Sequence, residues 1–131
     1  MSEHTVKAFD EDITRLRGLI SEMGGLAELS ISESLQALTT GDEELAEQVR
    51  NNDKAIDALE ELINQECIQI IALRAPAAID LRVALSVMKI AGNLERIGDY
   101  AKNMAKRTSV LVHMAPVEGA RGALRRMARE V

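Results

Sequence analysis

Two acidic pairs carry the chemistry this sequence has to offer. Asp53-Lys-Ala-Ile-Asp57 and Glu95-Arg-Ile-Gly-Asp99 each place two carboxylates four residues apart. On a helix that spacing puts both on one face, one turn from each other, where like charges repel. Something must compensate them: a cation on a facing helix, a metal ion, or water. Asp57 lies 19 residues before Pro76 and Glu95 lies 19 after it. If the chain reverses at Pro76, the two pairs meet at similar height. Four hard oxygen donors at one level suit a divalent or trivalent metal ion. Acids four apart are also common on solvated faces, and Lys54 and Arg96 are at hand to neutralise them. Spacing alone leaves both readings open.

Other reactive constellations are poor. Ser30, Ser32 and Ser34 have no histidine near them in sequence, so no nucleophilic triad is indicated. His4 and His113 lie outside the acidic motifs, which excludes the Glu-x-x-His signature of di-iron bundles. Cys67 is alone among Ile68, Ile70 and Ile71 and reads as a packed core residue, in keeping with a reducing compartment. Gly24-Gly25 lacks the lysine of a phosphate-binding loop.

The elements that must position the acids are long helices. The run from Pro76 to Arg107 carries Val83, Val87, Ile90, Leu94, Ile97, Ala101 and Met104 at alternating steps of three and four, the stripe of a helix. Pro76 suits a helix start, Asp80 suits the N-terminal pole, and Lys102, Lys106 and Arg107 suit the C-terminal pole. Leu81, Leu85 and Met88 make the first half apolar nearly all round, which predicts burial by more than one neighbour.

Before it, a first helix is predicted from Thr5 to Leu38 on the stripe Phe9, Ile13, Leu16, Ile20, Met23, Ala27, Ile31, Ser34 and Leu38. Gly24 and Gly25 interrupt it, as a bend or a close helix contact. Gly41 suits a left-handed cap and Asp42 an N-cap, so a second helix follows at Glu43 after a short turn. It runs to Leu73 on the stripe Leu45, Val49, Asn52, Ile56, Leu59, Ile63, Glu66, Ile70 and Leu73, with Asn52 and Glu66 as polar breaks. The fold class predicted is all-α: an up-down-up antiparallel three-helix bundle about 45 Å long. After Arg107 a looser stretch with Pro116, Gly119 and Gly122 leads to the start of a fourth helix at Ala123–Val131. The domain reading is a three-helix repeat over 1–108, then a linker and the beginning of a second, incomplete repeat over 109–131.

Composition bounds the rest. The chain has 131 residues, 47% hydrophobic and 28% charged, which describes a single globular domain. No apolar run reaches the length of a membrane span, and the polar start MSEHTVKAFDED shows no secretory signal, so a cytoplasmic protein is expected. A net charge of −5 with one Phe, one Tyr and no Trp argues against nucleic-acid binding. The charge is uneven: residues 1–75 carry 16 acids and 6 bases, residues 76–131 carry 5 and 10.

The run Ala-Pro-Ala-Ala-Ile-Asp-Leu-Arg (75–82), Met-Lys-Ile (88–90), Leu-Glu-Arg-Ile-Gly-Asp-Tyr-Ala-Lys (94–102) and Asn-Asp-Lys-Ala-Ile-Asp-Ala-Leu-Glu (52–60) closely resembles the PhoU family of phosphate-transport accessory proteins. The resemblance covers residues 5–108. It implies one of two similar three-helix repeats, and carboxylate motifs that bind divalent or iron-type metal ions with no organic cofactor. Carried onto this chain, the ligands are Asp53, Asp57, Glu95 and Asp99, and the turn residues are Pro76, Asp80 and Arg82. It implies no enzymatic activity. The role implied is a cytoplasmic negative regulator of the phosphate-starvation response, an adaptor between a PstB-like transporter ATPase and a PhoR-like sensor kinase. Membrane association would be peripheral, through those partners, and a homodimer or other self-association is implied. Two alternatives stand beside it: a metal-binding bundle, or a structural adaptor, without a phosphate role.

Overall fold

A computed structural model describes residues 3–74, 78–114 and 120–130. They form four helices: α1 (Glu3–Thr40), α2 (Glu43–Arg74), α3 (Ala78–Val112) and α4 (Ala120–Glu130). Helices α1, α2 and α3 each pack on the other two as an antiparallel three-helix bundle, and α4 lies against α1. None of the described helices is long and apolar enough to cross a membrane.

The turn between α1 and α2 is built by local chemistry. Gly41 takes φ 72°, a left-handed conformation that costs other residues a steric penalty. The Asp42 amide then reaches back to the Ala37 carbonyl at 3.0 Å, which satisfies one of the open carbonyls of α1. The Asp42 carboxylate accepts the Leu45 amide at 3.0 Å and so caps α2. Glu43 and Glu44 occupy the first turn of α2, where acids suit the helix pole. The turn residue Pro76 lies outside the described residues. Asp80 is in the first turn of α3 and half-buried, and Arg82 is exposed on it.

The core spans the three long helices in two clusters. Leu16 and Met23 of α1, Ile56, Ile63, Cys67 and Ile70 of α2, and Ala91 of α3 form its main cluster. Phe9, Ile13, Ile20, Leu59, Val87, Met88 and Leu94 pack against it. Ala37, Ala46, Val49, Ala101 and Ala105 close the other end.

The phase of α2 and α3 differs from the sequence expectation. On α2, Asn52 is exposed and the neighbouring Asp53 is buried in the seam; Leu73 is 69% exposed. On α3, Val83 and Ile90 flank the seam and are partly exposed, while Ala84, Ala91, Gly98 and Ala105 are buried at intervals of seven. Hydrophobicity alone favours the larger residues. Close approach of two backbones favours the smallest ones, and here close approach prevails. Leu85 is 52% exposed, so within this chain the apolar face of α3 is covered only in part. The helix also runs five residues past Arg107, through the stretch expected to be loose, so Lys102, Lys106 and Arg107 do not cap its end.

Gly24 and Gly25 make no close contact. A Cβ built on either would meet nothing within 4 Å. Alanine there gains helix propensity without a steric cost. Gly24→Ala and Gly25→Ala are each expected to stabilise the bundle by about 0.5–1 kcal/mol, read as a higher urea midpoint at unchanged slope.

Candidate metal centre

The acids of α2 and α3 converge at mid-bundle. Asp53, Asp57 and Asp99 each offer one carboxylate oxygen, and all three oxygens lie within 4.8 Å of one another. Asp53 is buried, Asp57 exposed and Asp99 half-buried, so the group opens from the seam toward solvent. The count that placed Asp57 and Glu95 at one height is matched in part: the oxygens of Asp53, Asp57 and Asp99 come together, and Glu95 lies outside that group. Glu95 stands beside them, hydrogen-bonded to Asp99 and within the field of Asp57 and Glu60.

Local sequence explains why a carboxylate can be buried here. Asp53 occupies a core position of α2 directly opposite Gly98 of α3. A Cβ on Gly98 would fall 3.2 Å from Asp53 Oδ1 and 3.1 Å from Ile56 Cδ1. The missing side chain is what leaves room for the carboxylate between the helices.

The electrostatics are those of crowded like charges. The Glu95 carboxyl is pushed up from 4.5 to about 7, chiefly by its hydrogen bond to Asp99, then by burial and by the charges of Asp99, Glu60 and Asp57. Burial, and then Asp57 and Asp99, raise Glu60. Burial also raises Asp53, reinforced by Asp57 and Asp99 and opposed by Lys102. Among the described residues, Lys102 is the one cation paired with the cluster, its Nζ 3.5 Å from Asp53 Oδ2. Lys54 and Arg96, the expected neutralisers, are exposed. The polar break at Glu66 is met separately by an ion pair with Arg15.

Two members of the site escaped the sequence reading. Glu60 follows Asp57 by three residues, on the same flank of α2. Lys102 follows Glu95 by seven, on the same flank of α3. Those spacings were available as signals.

The donor set fits a hard metal ion. It is all oxygen, it spans two helices, and Asp53 Oδ1 is buried without a hydrogen-bond partner, an arrangement that is costly unless something positive meets it. Asp53, Asp57 and Asp99 can together hold a metal ion, with Glu95 and Glu60 near enough to adjust its charge.

An antiparallel three-helix bundle with a shared carboxylate centre defines a class of helical-bundle protein that carries acidic side chains on facing helices. Within that class the chain belongs to the PhoU family: the PhoU domain matches residues 20–108. The phosphate-specific transport system accessory protein PhoU homolog of Zymomonas mobilis is 53% identical over 114 residues, covering 87% of this chain and 48% of that protein. The homolog of the same name in Caulobacter vibrioides is 37% identical over all 131 residues, 57% of its length. That of Rhizobium meliloti is 45% identical over 104 residues, covering 79% of this chain and 44% of that protein. The chain thus spans about half the length of the curated relatives it matches.

Proposed function

We propose that this chain serves as a regulatory accessory of phosphate transport that silences the phosphate-starvation response when phosphate is abundant. Its identity of 53% to a phosphate-specific transport system accessory protein carries that reading. In this role it is an adaptor, not an enzyme, between a PstB-like transporter ATPase and a PhoR-like sensor kinase, on the cytoplasmic side of the membrane. The half-exposed Leu85 and the neighbouring Leu81 and Met88 of α3 offer an apolar seat for self-association into a homodimer.

The carboxylate centre serves that role as a clamp. Asp53, Asp57, Asp99 and Glu95 would hold a divalent or iron-type ion, whose chemistry is charge neutralisation and cross-linking of α2 to α3. Asp53 supplies the buried oxygen, and Asp57 and Asp99 supply the outer ones. The residue types favour a structural role: no histidine or thiol joins the described cluster.

The test is a deletion of the gene in its source organism, with alkaline phosphatase measured in abundant phosphate. Phosphatase should rise several-fold in the deletion strain and return to the repressed level when the gene is restored. Unchanged repression in a strain with no second copy would show that the chain does not act in phosphate control, and would favour a metal-binding bundle without that role.

A further inference from the structure

The two oxygens of Asp53 have different surroundings. Oδ2 lies 3.5 Å from the Lys102 ammonium, and Oδ1 is buried with no hydrogen-bond partner. The Asp53 side chain is 3% exposed, whereas that of Lys102 is 36% exposed. Such a pair is asymmetric. The carboxylate cannot leave the seam, but the ammonium stands at its rim on a flexible four-carbon stem and can turn to water at little cost. At 3.5 Å the contact is also longer than the roughly 2.8 Å usual for a charge-assisted hydrogen bond.

Lys102 shares its flank of α3 with Glu95, and Asp99 lies one turn before it. Asp57 of α2 completes the ring of acids around Asp53. A metal ion held by Asp53, Asp57 and Asp99 would therefore stand within a few ångströms of the ammonium. Two cations that close repel strongly in a half-buried site. They would also compete for the same carboxylate.

We infer that Lys102 is a tethered counter-ion that competes with the metal for Asp53. With no metal bound, the ammonium neutralises the buried carboxylate. When the site takes up a metal ion, Asp53 exchanges the ammonium for it, and Lys102 turns outward. This rests on the metal-binding reading above and adds two properties to it. Lys102 sets how much free metal is needed to load the site. Loading also changes the outside of the bundle, because a lysine charge becomes free at the α2–α3 surface only in the loaded state.

The experiment compares wild type, Lys102→Met and, as a control for loss of an exposed charge, Lys106→Met. Each is stripped with chelator and titrated with Mn2+ by calorimetry and by thermal melting. Lys102→Met should melt lower than wild type without metal, because Asp53 loses its partner. It should bind Mn2+ at least about tenfold more tightly, because a repelling charge is gone, and show a larger rise in melting temperature on loading. Lys106→Met should match wild type. In wild type, acetylation of Lys102 followed by mass spectrometry should speed up when Mn2+ is added, while that of Lys106 should not. Equal or weaker Mn2+ binding by Lys102→Met, or unaltered labelling of Lys102, would overturn the competition and leave metal binding standing. No response to Mn2+ from any of the three proteins would overturn metal binding and the competition together.

Discussion

Gly98→Leu should destabilise the bundle by forcing α2 and α3 apart. The position is buried, and the first added carbon already stands 3.1 Å from Ile56 Cδ1 and 3.2 Å from Asp53 Oδ1. Three further carbons have nowhere to go without parting α2 from α3. Overpacking of this kind costs about 1–3 kcal/mol, occasionally more, and the improved helix propensity of leucine offsets at most about 1 kcal/mol of it. Gly98→Ala is a finer case, with a few tenths of an ångström of crowding set against the gain in propensity. The partner substitution checks the mechanism. Ile56→Ala alone removes a fully buried side chain and should cost about 2–5 kcal/mol. In a chain that carries Gly98→Leu as well, the leucine can fill the space that Ile56 vacates. The double variant should then be clearly more stable than the sum of the single losses predicts. Urea unfolding of the four proteins measures this. Strict additivity would mean that the two residues do not share one space.

The second large effect is metal-linked and depends on pH. A divalent ion at about one hundred times its dissociation constant stabilises the folded chain by about 2.7 kcal/mol if it does not bind the unfolded one. Asp53→Asn should abolish that gain, since the amide carries no charge to neutralise the ion and Asp53 supplies the innermost oxygen. The stability of the metal-free chain and the gain from metal should change with pH in opposite directions. Glu95 in the folded chain takes up its proton near pH 7, against 4.5 for an ordinary glutamate. The folded state therefore binds the proton more readily than the unfolded one. The stability this contributes is fully present below about pH 4.5 and is lost as pH rises through about 7. Asp53 and Glu60 are shifted in the same direction. In chelator, the melting temperature of wild type should thus fall more steeply from pH 5 to pH 8 than that of Glu95→Gln. With the ion present, each lost proton frees an oxygen donor, so the metal-dependent rise in melting temperature should grow over the same range. A rise independent of pH would mean that the ion binds elsewhere.

What could be read from the sequence, and what could not, follows from the reach of the forces involved. The helix boundaries near Thr40 and Glu43 were legible because Gly41 and Asp42 act within a few residues of themselves. The approach of Asp53 and Asp57 to Asp99 was legible because α2 and α3 follow one another closely as antiparallel helices, so that height follows by counting. The phase of the seam was not. Asn52 and Asp53 are adjacent and both polar, and which of them turns inward depends on how closely α3 approaches. That distance is set by Gly98 on the other helix, so no pattern within α2 contains it. Charge also misdirected the reading: Lys102 looked like a complement to the helix pole because the end of α3 was placed at Arg107. The end in fact lies at Val112, and Lys102 faces Asp53 instead.

The column of small residues on α3 bears on how the bundle keeps its alignment. Ala84, Ala91, Gly98 and Ala105 repeat every seven residues. Three of the four are identical, so the column by itself is a nearly uniform rail along which α2 could slide by a heptad and meet much the same surface. Gly98 is the exception, and Asp53 is the side chain that needs it. Moved one heptad in either direction, the buried carboxylate would face the methyl group of Ala91 or Ala105 in place of the gap, and would lose Lys102 besides. A residue that weakens the core where it stands thereby makes every slipped alignment worse, so the acidic centre acts as the notch that fixes the register of α2 on α3.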